Sequence, residues 1–258
     1  MSFREELLSK SNKKISLIIF ESSKNPKLTI ISAHGGLNMV DGDFAEITAK
    51  ESSQLIEYCL KNNINFIAIN FSNNGSQKDQ PLNEILFSDR ILDLESTIDF
   101  VQEKYKCPII LSGSSLGGHI IINTSDYSSK IKGIILNCPA IKAFEVIRDT
   151  MDKNEFEKWK IKDEAEVFGT KLKYSFYEDL LSHSAMSKIP KLTIPVLIYH
   201  GTADKIVPID QSRESKALNR YVELVEVEGG EHRFGKMLKP GEWEEGVEQF
   251  INKVLFAR

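Results

Sequence analysis

Cysteine is scarce, with three in 258 residues. Cys59, Cys107 and Cys138 are widely spaced, odd in number, and form neither a C-x-x-C pair nor a zinc-finger spacing, so no disulfide framework or structural zinc site is expected. A reducing, cytoplasmic setting fits that usage. Long apolar runs are also missing. Stretches such as 107–111 and 119–122 fall far short of the eighteen or so residues that cross a bilayer, so no membrane span is expected. Residues 1–10 carry Arg4, Glu5, Glu6 and Lys10 but no apolar stretch of the kind a secretory signal needs, which argues against export. There is no excess of positive charge: 33 Lys and Arg stand against 37 Asp and Glu, a net charge of -4. Without a basic block the chain lacks the electrostatic footprint of a nucleic-acid binder. Neither internal repeats nor low-complexity tracts are visible.

What is present is an ordinary globular composition at a length that single α/β domains often reach. A chain of this size buries roughly 70–75% of its unfolded surface and needs no covalent staple. β-branched runs at 15–20 and 28–33 flank a turn-rich stretch and read as an opening hairpin. Helical periodicity follows at 45–60 and 88–104, with a strand at 65–69 between them and Asp89 in the first turn of the second helix, where the dipole favours it. The runs at 109–111, 131–136 and 196–199 are apolar on both faces, as strands covered on both sides are. A helix at 210–219, a strand at 222–227 and a helix at 242–255 close the pattern. Strands alternating with helices predict a mostly parallel sheet flanked by helices.

One segment breaks the rhythm. Almost sixty residues separate the strand ending near 137 from the one beginning near 196, too many for a structureless loop in a compact domain. Aromatic residues interleave with charged ones there, including Phe144, Phe156, Trp159, Phe168, Tyr174, Phe176 and Tyr177. That pattern predicts amphipathic helices forming a cap inserted at 139–190 within one domain spanning 1–258, a place where sites are often built. Trp159 and Phe176, with Leu37 from an earlier loop, are the expected substrate contacts.

The chemistry concentrates in Gly113-Ser-Ser115-Leu-Gly117-Gly118, a G-x-S-x-G pattern directly after an apolar strand and before a helix. Glycines two residues to either side of Ser115 permit a turn too tight for a Cβ, and the helix start offers free N–H groups to a developing negative charge. His119 occupies the place where a phosphate loop needs Lys, and the glycine spacing does not match the dinucleotide pattern. A serine hydroxyl needs a base, and the base needs an acid to orient it. Asp204 lies in a turn beyond the strand at 196–199, and His232 in Gly229-Gly-Glu-His232-Arg-Phe234 beyond the next strand, both at the strand ends where open α/β sheets build sites. Asp210 and Glu231 are competing acids, and strand-and-turn geometry favours Asp204. Among the other histidines, His200 is expected to shape the Asp204 turn and His34 to brace an early loop. His119 follows Ser115 by one helical turn but points away, and His183 is left open. No H-E-x-x-H motif or carboxylate cluster suggests a metal, and no cofactor is expected.

The order Ser115, Asp204, His232 and these motifs resemble the α/β-hydrolase superfamily over most of the chain, especially small esterases and lipases such as cinnamoyl (feruloyl) esterases and monoacylglycerol lipases, and prolyl-oligopeptidase-like catalytic domains. The resemblance implies an oxyanion hole from Leu116 N–H and from the His34-Gly35-Gly36-Leu37 loop, with Gly36 the first choice of donor and Leu37 the second. The continuation at 38–43 departs from the family pattern. The reading that follows is a serine esterase that cleaves small apolar or aromatic esters through an acyl-enzyme on Ser115. A peptidase acting on short peptides and a non-catalytic hydrolase-like binding module are its alternatives. The expected partner is a small-molecule ester, with homodimerisation left open.

Overall fold

The computed structural model describes residues 2–10, 13–36, 48, 50, 52–72, 84–232 and 241–256. The chain opens with strands β1 (Arg4–Lys10), β2 (Lys13–Phe20) and β3 (Leu28–Ala33), then helix α1 (Ser53–Lys61) and β4 (Ile64–Asn70). Helix α2 (Phe87–Lys104), β5 (Ile109–Ser114), α3 (Leu116–Thr124) and β6 (Ile131–Asn137) follow. After the inserted segment come β9 (Val196–Gly201), α8 (Asp210–Leu218), β10 (Val222–Val227) and α9 (Glu242–Phe256). Among the described residues the main sheet has eight strands in the order β1-β2-β4-β3-β5-β6-β9-β10. Pairing is antiparallel at β1–β2 and β2–β4 and parallel from β4 onward.

The apolar runs explain this order. Every residue of β4 and β9 is buried, as central strands covered by helices on both faces must be. The sheet sorts its side chains by the two-residue alternation of a strand: Ile31, Ile67 and Leu111 join one apolar layer, and Ile30, Phe66 and Ile110 the other. The opening hairpin differs from expectation. The strands at 15–20 and 28–33 are not neighbours, because β4 lies between them, and the hairpin partner of β2 is β1. The charged stretch Arg4–Lys10, with Leu7 exposed, gives no apolar signal because β1 is an edge strand with one partner.

The insertion contains helices α4 (Ala143–Thr150) and α5 (Lys153–Lys162), strands β7 (Glu164–Val167) and β8 (Thr170–Lys173), and helices α6 (Tyr174–Leu181) and α7 (Ala185–Lys188) with a 3₁₀ turn at Ile189–Lys191. The β7–β8 hairpin was not expected. Its two-residue turn holds Phe168 at φ 47° and Gly169 at φ 76°, the paired left-handed geometry of tight hairpins, without the Asn-Gly or Asp-Gly signature. Phe156, Trp159, Phe176 and Leu180 of the insertion belong to one continuous core with Ile120, Leu136 and Ile198.

Candidate active site

Strands β5 and β6 end level with one another, beside Tyr199 near the end of β9: Ser114 pairs with Asn137, and Asn137 with Tyr199. The residues that follow, Ser115, Cys138 and His200, therefore reach the same carboxyl edge of the sheet. Ser115 leaves β5 at φ 50° and ψ -121° and caps α3. A non-glycine residue in that left-handed region persists only where its surroundings hold it. Here Ser115 N–H donates to Asn137 O (3.0 Å), and Ser115 O accepts from Gly118 N (3.0 Å) and Ala140 N (3.0 Å). The flanking glycines are sterically required. A Cβ on Gly117 would meet Ala33 O at 2.3 Å, and one on Gly113 would meet Ile121 Cδ1 at 2.6 Å.

The loop after β3 runs directly over this elbow, since a Cβ on Gly35 would lie 2.9 Å from both Ser114 O and Ser115 Cβ. Gly36 follows at φ 76°, and Leu37 lies outside the described residues. His34 Nδ1–H donates to Gly35 O (2.8 Å), and its ring meets Phe71 edge-on at 5.1 Å. The buried Arg90 guanidinium lies over the Phe71 ring, 5.2 Å from its centroid, and donates to Ser72 O (2.8 Å). Ser72 in turn donates from its N–H and Oγ to Asp93 Oδ2 (2.8 and 2.7 Å). Desolvation, reinforced by the Arg90 charge, pushes the His34 imidazole down to about 4 against the opposing Gly35 hydrogen bond, so His34 is a neutral brace. Leu116 is the first residue of α3, where helix N–H groups lack intrahelical partners and face outward.

The structure brings Asp204 and His232 together. His232 Nδ1 lies 2.7 Å from Asp204 Oδ2, and the Asp204 side chain is fully buried. A carboxylate can only accept here, so Nδ1 is the donor, and in the neutral ring the lone pair is then on Nε2. Two backbone N–H groups, of Ile206 (2.8 Å) and Val207 (2.9 Å), hold Asp204 Oδ1. Burial alone would raise this carboxyl, but hydrogen bonds from His200, His232, Val207 and Ile206 hold it well below the usual carboxylate range. The loop carrying His232 is fastened to the Asp204 turn by Ala203 N–H to Gly230 O (2.8 Å) and Gly229 N–H to Thr202 Oγ1 (2.8 Å). Gly201 permits this approach, since a Cβ there would stand 2.1 Å from Gly230 O.

The remaining histidines have structural partners. His200 is buried between Ser212 Oγ (2.7 Å) and Val207 O (3.0 Å), with Nε2 3.4 Å from Asp204 Oδ2, so it shapes the aspartate turn. His119 faces the insertion: Nδ1 lies near Ala140 O (3.0 Å) and Ile141 O (3.1 Å), and Nε2 near His183 O (2.6 Å). His183 Nδ1 donates to Asp179 O (2.7 Å). Trp159 and Phe176 correct the expectation that they contact substrate. Both are wholly buried; Trp159 donates Nε1–H to Leu172 O (3.0 Å) and meets Tyr174 edge-on, and Phe176 meets Phe87 edge-on, so neither offers surface to a ligand.

Sequence reasoning did not single out Cys138. It stands at φ 42° after β6, buried, with its Sγ within 4.8 Å of an Asp204 carboxylate oxygen. Its position level with Ser115 at the strand ends was the available signal.

Comparison with known proteins agrees with this architecture. Residues 84–241, more than half the chain, match the family described as Uncharacterised protein family (UPF0227). The chain is 25% identical over 243 residues to the mouse mitochondrial palmitoyl-protein thioesterase ABHD10, an alignment that covers 88% of this chain and 79% of that protein. Among solved structures, Est1E from Butyrivibrio proteoclasticus with bound ferulic acid superposes with a TM-score of 0.77 at 18% identity, covering 97% of this chain and 99% of that one. Mouse alpha/beta hydrolase domain-containing protein 10 superposes with a TM-score of 0.74 at 20% identity, covering 97% and 99%. These neighbours share the α/β-hydrolase fold. No described helix is long and apolar enough to cross a membrane.

Proposed function

Because this chain belongs to the uncharacterised protein family UPF0227 and carries the α/β-hydrolase fold, we propose that it is a serine hydrolase that cleaves small apolar or aromatic carboxylic esters through an acyl-enzyme on Ser115. At the coarser level it is an esterase- or thioesterase-like α/β-hydrolase. The single observation that carries the finer reading is the 2.7 Å bond from His232 Nδ1 to the buried Asp204, at the same sheet edge as the left-handed Ser115 elbow. With Nδ1–H committed to Asp204, Nε2 takes the Ser115 proton as Oγ attacks the carbonyl carbon and returns it to the departing alcohol. Leu116 N–H and the Gly36 region are the proposed oxyanion donors. Water, deprotonated by the same Nε2, then releases the acid.

A thioester is the second substrate class, favoured by the similarity to a palmitoyl-protein thioesterase. It follows the same route with a thiol as leaving group.

Fluorophosphonate labelling is the direct test. Wild type is expected to be labelled and Ser115→Ala to be blank, whereas equal labelling would remove Ser115 from the reaction. Parallel assays on aryl esters, acyl thioesters and aminoacyl arylamides rank the substrate classes, and fastest turnover of the arylamide would replace the ester reading with a peptidase.

A further inference from the structure

We propose that Cys138, Asp204 and His232 form an inhibitory site for a thiophilic divalent cation such as Zn²⁺. Their sulfur, carboxylate oxygen and imidazole nitrogen all lie within 4.8 Å of one another. Tetrahedral zinc bound to such atoms holds them about 3.5 Å apart, given bond lengths near 2.0–2.3 Å, so adjustments on the order of an ångström complete three corners. The ligand types suit the ion, since thiolate and imidazole select zinc and cadmium over magnesium or calcium.

Hydrogen bonding assigns the carboxylate ligand atom. Asp204 is held anionic, and its Oδ1 is occupied by the Ile206 and Val207 N–H groups, which leaves Oδ2, 2.7 Å from His232 Nδ1, as the ligand atom. A thiolate and a carboxylate balance a 2+ ion, so the occupied site is neutral within a buried setting where net charge is costly. The His232 side chain is 19% exposed and is the route of entry, and a water on that side completes the coordination.

The consequence follows from proton accounting. The ion displaces the Cys138 thiol proton to solvent. It also takes the place of the proton on His232 Nδ1, and the neutral ring then carries its only proton on Nε2. Nε2 has lost the lone pair that would accept the serine proton, so the base is locked in the inactive tautomer. This inhibitory effect rests on the hydrolase reading above; the binding does not.

The test is a Cd²⁺ titration of the full chain, followed by thiolate-to-cadmium charge-transfer absorbance. Wild type is expected to show the band with a single equivalent. Cys138→Ala should lose it, while Cys59→Ala and Cys107→Ala should keep it. His232→Gln, which retains the thiol and guards against misfolding of the cysteine variant, should weaken binding on the order of tenfold or more, at least what losing an outer-shell partner costs a metal site. A band that persists in Cys138→Ala, or an affinity indifferent to His232→Gln, would overturn the site. Zn²⁺ should also block fluorophosphonate labelling of wild type, with a chelator restoring it, and full labelling of the ion-bound protein would sink the inhibition. A metal-free wild type that never labels counts against the hydrolase reading instead, and the cadmium band still decides the binding.

Discussion

Asp204 concentrates the chemistry of single residues in this molecule. Its carboxylate is desolvated yet anionic because histidine and backbone N–H groups converge on it. Asp204→Asn offers an amide in place of the acceptor that fixes Nδ1–H, so the wrong imidazole tautomer is favoured. The expected result is a roughly ten-thousandfold lower kcat with the fold retained, read by ester turnover and circular dichroism. The depressed carboxyl also contributes stability that is present above its ordinary 3.8 and is lost as pH falls below that value. His34 acts over a higher window. Its pKa is about 4 in the folded chain against 6.5 ordinarily, so protonation favours unfolding and stability declines as pH drops from 6.5 toward 4. His119, fully buried, is shifted down by desolvation against its carbonyl hydrogen bonds and adds in the same direction. Urea unfolding from pH 7 to 4 should therefore show a falling midpoint for wild type and a flatter dependence for His34→Asn. An unchanged slope would remove His34 from the account.

Secondary-structure elements meet at glycines around the serine. Helix α3 lies so close to the end of β3 that a Cβ on Gly117 would meet the Ala33 and His34 carbonyl oxygens at 2.3 and 2.7 Å, backbone atoms with little freedom to retreat. Gly117→Ala should cost about 1–3 kcal/mol by overpacking, measured by chemical denaturation. Its fluorophosphonate labelling should fall as well, because the shift displaces the elbow. The helix–strand alternation was readable in the chain because buried strands are continuously apolar and their neighbouring helices amphipathic. The β1 edge and the β7–β8 hairpin were not readable. One is a charged strand that pairs through its backbone, and the other turns through Phe168 and Gly169 without the usual turn residues.

Across the whole molecule, the His119 ring of helix α3 lies between Ala140 and Ile141, where the chain leaves the sheet, and His183, between α6 and α7 of the insertion. Asn123 Nδ2 also donates to His183 O (3.2 Å). The neutral ring has one N–H, so His119→Leu removes one donor from these buried carbonyls, a loss of about 1–3 kcal/mol. Hydrogen exchange should then speed up across 139–190 while β4 and β5 keep their protection. Uniform loss throughout the sheet would show that His119 supports the core and not the insertion. The aromatic residues of that segment illustrate the limit of sequence reading. Their interleaving with charge marked a folded unit, but whether Trp159 and Phe176 faced a ligand or each other's neighbours depended on packing.

Period, glycine placement and the order of Ser115, Asp204 and His232 were enough to identify the layered α/β architecture and the candidate residues, because these follow from local backbone sterics and strand-end placement. Contacts between distant segments were beyond the reach of any such pattern. The 2.7 Å pairing of His232 with Asp204, the passage of Gly35 over Ser115 and the approach of Cys138 to Asp204 arise from strand order and register. Those are settled by how the apolar faces of the entire chain bury one another.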